Sequence, residues 1–336
     1  MPWPAVIMMS PMMVAAEGFA AKKSNILMAL AFFLYPIVVF LALYLIGYSF
    51  YGTDPLWWAA TVFVVGSIVS LLYGLPRKFY NVSTGISNEG YFIKGQKVYL
   101  YGKQLPGADA LTFTHFNNRG QYSKDKNTVY SNDKKLKSAD AASFQPLAND
   151  TTNSYWHDAR SAYYKWYTIA GADGASFEYL GGFYAGDKNK VFLEQNIVAE
   201  ADRASFQSLY NFVGKDAEHV FVRNIAATTI TEVSNFKIIT LSEETFGIDS
   251  KQIYTIRYTP TLPLMPFPNA DLETFVVLGD YYAKDKNQVY YYSFHIPEIL
   301  VLEGANPKSF ELHWDGGRGS NARDGELFYK AGVLVD

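Results

Sequence analysis

The sequence predicts an all-β array of short-strand hairpin repeats placed behind a two-helix transmembrane hairpin. Three observations predict it. A unit recurs about eight times from Tyr91 to the end of the 336-residue chain. Its residues are those of strands and tight turns, with 26 Tyr and 24 Phe against only 18% charged residues. Before it stand two long runs without a formal charge.

The membrane region comes first in the chain. Residues 26–47, ILMALAFFLYPIVVFLALYLIG, would form a helix of roughly 33 Å, enough to cross a bilayer core. Pro36 in its middle is tolerable in lipid. Residues 56–75, LWWAATVFVVGSIVSLLYGL, make a second run with Trp57, Trp58 and Tyr73 at its ends, where amphipathic rings favour the interface. The expected organisation is therefore an N-terminal tail (1–24), a two-helix hairpin (25–76, spans 26–47 and 56–75), a linker (77–87) and a repeat domain (88–336). Lys22 and Lys23 precede the first span, Arg77 and Lys78 follow the second, and the connector has no basic residue. The positive-inside rule then places the repeats on the cytoplasmic face of the membrane. Residues 1–20 also resemble a poor signal peptide with three prolines, and their cleavage after export would invert that topology.

The net charge of −3 and the lack of basic runs exclude nucleic acid as a partner. With no cysteine there is no disulfide, thiolate metal site or cysteine nucleophile.

Within the repeats, an aromatic residue closes a V-Y pair in every copy: Tyr99, Tyr130, Tyr163, Phe192, Phe221, Tyr254, Tyr290 and Tyr329. Five residues earlier stands an aspartate in seven copies (Asp125, Asp158, Asp187, Asp216, Asp249, Asp285, Asp324), replaced by Lys94 in the first. An Ala-Asp pair, with Asp109, Asp140, Asp173, Asp202 or Asp271, precedes by four residues a phenylalanine: Phe113, Phe144, Phe177, Phe206 or Phe275. Phe236 and Phe310 hold that place where the aspartate is lost. The D-K-N segment reads as a hairpin turn capped by its aspartate, with Asn127, Asn189 and Asn287 free to adopt left-handed angles. The A-D-x-x-S-F segment reads as a capped single turn that delivers Phe to the interior. Each unit is then two or three short strands, and stacking of units supplies the core. The spread of periods, 29 to 39 residues, and a final copy that stops halfway favour an open array over a closed propeller.

These paired elements resemble the DKNYY family of bacterial repeat proteins, over about residues 88–336. The family is one of unknown function, so the resemblance implies a protein of the bacterial envelope, here of the inner membrane, and carries over no catalytic residue.

The motif residues are thus read as structural. Asp125 and Asn127 have a D-x-N spacing, but a lysine stands between them and no glutamate closes the loop, which speaks against calcium. His115, His157, His219, His295 and His313 fall at different places in their repeats and read as packing or solvated residues. Neither a nucleophile elbow, a Walker motif nor a dinucleotide glycine pattern is present. Glu243 and Glu244 are adjacent and read as a solvated edge. No metal, cofactor or catalytic residue is expected.

Function is expected where copies lose their regular length. The sixth copy carries TPTLPLMPFPN after its V-Y pair and the seventh carries YYYSFHIPEILVLEG. Insertions at equivalent places project from one face, so Leu262, Leu264, Met265, Phe267, His295 and Ile296 form the candidate binding loop, unless they fold back onto the array. The expected role is a non-catalytic scaffold, integral to the membrane, with a protein partner or ligand. A structural envelope component held by lateral repeat contacts is the alternative. An enzyme would need a pocket of convergent polar groups that the sequence does not announce.

Overall fold

A computed structural model describes residues 74–116, 121–230, 232–257, 263–315 and 320–335, with the single helical positions Trp57, Val64 and Leu72. The two expected spans otherwise lie outside the described residues. Among the described residues no helix is long and apolar enough to cross a membrane.

Eight antiparallel sheets follow one another among the described residues, the first of three strands and the rest of four. The fourth sheet shows the pattern: Glu178–Gly181, Tyr184–Gly186, Val191–Leu193 and Asn196–Ile197 form a meander in chain order. The expected unit of two or three strands is therefore too small. The extra strands are the residues just after each S-F pair and the pair of residues just before the next Ala-Asp segment. The last copy is also complete, running from Phe310–Asp315 to Val333–Val335. It looked halved because the A-D-x-x-S-F segment after a V-Y pair leads into the next sheet and is not part of its own.

The chain divides into two compact units, residues 1–142 and 143–336. The first holds a helix, Leu75–Ser83, and sheets one and two. The segment expected as a linker is thus largely helical: Pro76 sits in the first turn, where its missing N–H costs nothing. Buried Asn81 joins this helix to the first sheet, donating from Nδ2 to the Gly102 carbonyl at 2.7 Å and to Asn88 Oδ1 at 2.8 Å. The second unit holds sheets three to eight.

Within each unit the apolar clusters are shared by consecutive sheets. In sheet four, Ala185 and Phe192 pack with Tyr155, Ala162 and Tyr164 of sheet three. Their neighbours Tyr184, Val191 and Leu193 pack instead with Phe206 and Phe221 of sheet five. Successive residues of a strand point to opposite faces, so these strands are apolar at every position and buried on both sides. Sheets five and six have a glycine in the second strand because the phenylalanine that precedes the sheet lies over it: a Cβ on Gly214 would come within 2.4 Å of the Phe206 ring and one on Gly247 within 2.5 Å of the Phe236 ring. Consecutive sheets are also tied by polar bonds. Tyr155 Oη donates to the Phe183 carbonyl at 2.7 Å and Tyr184 Oη to that of Phe212 at 2.8 Å.

The repeated aspartate is the joint of each inner unit. In Asp285, Oδ1 accepts the Asn287 and Gln288 N–H groups at 2.6 and 2.8 Å. Its Oδ2 accepts the Tyr290 hydroxyl at 2.8 Å and the Asp271 N–H at 2.8 Å. Asp125 repeats all four bonds with Asn127, Thr128, Tyr130 and Asp109. Asp158, Asp187, Asp216 and Asp249 repeat the two turn bonds. All six carboxylates are buried. The turn is closed by the carboxylate together with a backbone bond, such as Asp285 N–H to the Gln288 carbonyl at 3.0 Å, and Asn127, Asn189 and Asn287 do not take the positive φ that the sequence allowed them. Positive φ falls two residues after the V-Y aromatic instead, at Asn132, Lys165, Glu194 and Arg223, in the tight turn to the fourth strand. The two outer sheets turn differently, each on a glycine at φ 59°, Gly95 or Gly325. Asp324 is left to accept from Asn306 N at 2.7 Å and Ser309 Oγ at 2.5 Å.

The lysine after the aspartate pairs with the acid of the preceding segment, Lys126 with Asp109, Lys188 with Asp173 and Lys286 with Asp271, and in sheet six Lys251, two residues after Asp249, pairs with Glu232. These pairs are largely exposed and contribute little.

Burial pushes the Asp125 and Asp285 carboxyls up, but the N–H groups of Asp109 and Asn127, or Asp271 and Asn287, together with the tyrosine hydroxyl, outweigh it and leave both below the usual range. A carboxyl whose pKa is lower in the folded state binds fewer protons there than when unfolded. Its stabilisation is then complete above about pH 4 and disappears as pH falls through the folded value. Stability should accordingly drop as pH is lowered from 5 to 2, followed by circular dichroism of the full chain. Asp285→Ala should cost about 3–5 kcal/mol in denaturant unfolding, since it strands buried donors, and Asp285→Asn should cost less. On the alkaline side, burial holds the Tyr130 and Tyr282 hydroxyls at about 12. Raised folded values mean stability present below pH 10 and lost as pH rises toward 12.

Candidate functional site

The lengthened stretches of copies six and seven replace the tight turn between third and fourth strands. Of the two alternatives open for their apolar residues, projection or folding back onto the array, the structure shows the second for Leu264, Met265 and Phe267. Leu264–Pro266 is the fourth strand of sheet six, paired with Ile253–Ile256. Leu264 enters the core toward sheet five, and Met265 and Phe267 enter the core toward sheet seven. They pack rather than project, because a strand between two sheets has no free face. Leu262 lies outside the described residues. His295 is exposed, and Ile296 is half-buried against the cluster shared by sheets seven and eight.

A buried cation fixes the seventh-copy loop. Arg257, 4% exposed, reaches from the end of sheet six to donate to the Ser293 carbonyl at 3.1 Å and to the Ile296 carbonyl. Burial lowers its pKa, and its Nε has no hydrogen-bond partner. The two bonds hold Phe294, 52% exposed, between them.

Phe294 stands on the rim of a groove of 540 Å³, built by sheets five to seven where their first hairpins turn. These hairpins turn at residues 211–212, 242–243 and 280–281. In the fourth and fifth sheets the residue four before the aspartate is a phenylalanine, and Phe183 and Phe212 stack at 4.2 Å with an interplanar angle of 3°. The Arg223 guanidinium lies over Phe212 at 5.1 Å. Sheet seven has Tyr281 at the same position, but sheet six has Thr245. The row of rings is therefore interrupted at sheet six, and the groove occupies the gap.

Sheet five contributes Tyr210 and Asn211 to its walls, and sheet seven Asp280, Tyr281 and Phe294. Sheet six supplies the floor with Phe246, Thr255 and Ile256, and one wall with Glu244 and Thr245. Tyr281 meets Phe294 edge to face at 5.6 Å. Glu244 is half-buried, and its Oε2 accepts the Tyr292 hydroxyl at 2.9 Å, which with burial pushes that hydroxyl above its ordinary pKa. Glu243 is the exposed member of the pair. The arrangement offers open ring faces beside two carboxylates. Among the described residues no three metal-ligating side chains come together.

Sequence reasoning took Glu244 for a solvated edge and gave no weight to Tyr210, Asp280, Tyr281 and Phe294. The usable signal was the break at Thr245 in a position otherwise aromatic in sheets four, five and seven.

Fold and groove define a class: a repeat protein of stacked short-stranded sheets in which one irregular repeat opens a surface site. The DKNYY family model matches residues 91–225 and 155–332, and the chain belongs to the DKNYY family. No curated protein and no solved structure matches it.

Replacing Arg257 tests how the rim is held. Arg257→Met should speed amide exchange in residues 293–299 by about tenfold or more while leaving sheets three and four unchanged, read by hydrogen exchange with mass spectrometry.

Proposed function

We propose that this protein is a non-catalytic binding scaffold held at the bacterial inner membrane, with its repeat domain in the cytoplasm and its ligand received in the groove at sheet six. One observation carries the reading: the stacked tip rings Phe183 and Phe212 are not continued at sheet six, where Thr245 stands in place of a ring beside a walled space. A volume of 540 Å³ is within the range of small-molecule and side-chain sites. The recurring acids and rings are consumed by folding, which leaves recognition to the irregular repeat. The uncharged runs 26–47 and 56–75, and the exposed apolar helical positions Trp57, Val64 and Leu72, support the anchor. The basic residues flanking both runs support the orientation.

Two measurements test this. A photo-crosslinking residue at Phe294 in the full chain should give adducts in cells that Thr245→Trp, which fills the groove, abolishes. The same probe at Tyr167, half-exposed on sheet three, should be indifferent to Thr245→Trp. Identical adducts with and without the filled groove would refute the site. The cysteine-free chain also allows clean labelling: Gln96→Cys should react with a membrane-impermeant maleimide only after lysis. Reaction in intact cells would reverse the orientation.

A further inference from the structure

The chemistry of the groove identifies the class of ligand, an inference that rests on the binding reading above. Among the described residues its lining carries two carboxylates, Glu244 and Asp280, and no cationic side chain. Tyr210, Tyr281 and Phe294 are 43%, 36% and 52% exposed, so each presents part of its ring to solvent. Ring faces beside carboxylates attract an organic cation, because the negative face of the π-system and the formal charge act together.

The chain itself shows what such rings take. In sheet five the ring Phe212 is covered by Arg223, which stands two residues after the V-Y aromatic. Sheet three has Lys165 at that position, 4.9 Å from the Tyr164 ring. Sheet six has Ile256 there. The cation of sheet six is the next residue, Arg257, whose guanidinium is bonded to the Ser293 and Ile296 carbonyls and is not among the groove's described lining. Glu244 is held by the Tyr292 hydroxyl, so one carboxylate is positioned before any ligand arrives.

We infer that the groove binds a basic peptide segment, taking one arginine or lysine side chain against the Tyr281–Phe294 pair and Tyr210 with its charge on Asp280 and Glu244. A guanidinium suits the site best, since a planar cation can lie flat on a ring and still present its edge to a carboxylate.

Calorimetry on the full chain tests the inference, with acetylated tri-arginine amide, tri-lysine amide, tri-glutamate amide and maltotriose as probes. Tri-arginine should bind, tri-lysine more weakly, and tri-glutamate not at all, with affinity falling as salt is raised. The Glu244→Gln, Asp280→Asn pair should weaken tri-arginine about tenfold or more, and Tyr281→Ala should do the same. Glu244→Gln keeps an acceptor for Tyr292, and unchanged melting of each variant excludes misfolding as the cause. Equal binding of tri-glutamate, indifference to the carboxylate variants, or no binding of tri-arginine would each overturn the inference. Binding of maltotriose that depends on Tyr281 would overturn it too, while leaving the groove a binding site. Loss of the Phe294 adducts on filling the groove reports on the broader reading alone, so the two fail separately.

Discussion

The fold depends on one buried carboxylate per inner repeat. An isolated charge in that position would cost several kcal/mol, and its placement makes sense only because donors from three directions converge on it. Two come from its own turn, one from the tyrosine that ends the V-Y pair, and one from the segment that leads into its sheet, as Asp125 and Asp285 show in full. The consequence is geometric. One side chain sets the hairpin corner, the height of the tyrosine in the core and the entry of the preceding chain. Where the aromatic is Phe192 or Phe221 the hydroxyl is absent, and Asp187 and Asp216 retain the turn bonds and the bond to Asp173 or Asp202 N. The joint tolerates the loss of one donor because the turn itself is still closed.

A corner defined in this way lets each sheet be apolar on both faces. Three residues per strand suffice, since Tyr184, Val191 and Leu193 serve one neighbour and Ala185 and Phe192 the other. No sheet of this size would be stable alone, and each core cluster belongs to two sheets. Close approach between sheets also dictates local chemistry. A Cβ on Gly182 would meet the Asn211 carbonyl at 2.3 Å, and φ there is +57°, so both contact and backbone demand glycine. The tyrosine hydroxyls that cross to the next chain segment satisfy carbonyls that stacking would otherwise strand.

The sequence made this joint legible because it is local: aspartate, turn and tyrosine lie within six residues, and side-chain capping follows from residue type. What it concealed was set by register. Lys165, Glu194 and Arg223 occupy left-handed angles because a two-residue turn between short strands requires them, and none of these residues announces it. The fourth strands went unread because two residues such as Asn196–Ile197 carry no periodicity. For Leu264, Met265 and Phe267 the sequence left a projecting loop and a segment folded back onto the array as alternatives, since an apolar run rich in proline suits either. In a two-faced sheet the same run is a strand, and Pro266 fits an outer strand, whose ladder does not need its missing N–H. The groove was hidden for a related reason. Tyr210, Tyr281 and Phe294 are ordinary aromatic residues in a chain with 17% of them, and only placement at hairpin tips separates them from core.

Sheet six concentrates the departures from the pattern. Its first two strands have five residues each and pair without the bulge found in sheets four, five and seven. Thr245 replaces the tip ring, Ile256 stands where sheets three and five have a cation, and Arg257 leads into a long connection instead of a tight turn. Yet the Asp249 joint is intact, with bonds to Lys251 N, Gln252 N and the Tyr254 hydroxyl, all at 2.8 Å. The corner and the core are therefore specified on one side of the sheet, and the tips on the other are free to change. A repeat can lengthen a hairpin, drop a ring and open a groove without disturbing the stacking that supports it. The same separation explains why Arg257 is buried without a carboxylate: its two carbonyl acceptors lie in the next repeat's loop, so the cation fixes the rim and not the core. Recognition on such a scaffold is a property of the repeat that departs from its neighbours, held in place by the aspartate that does not.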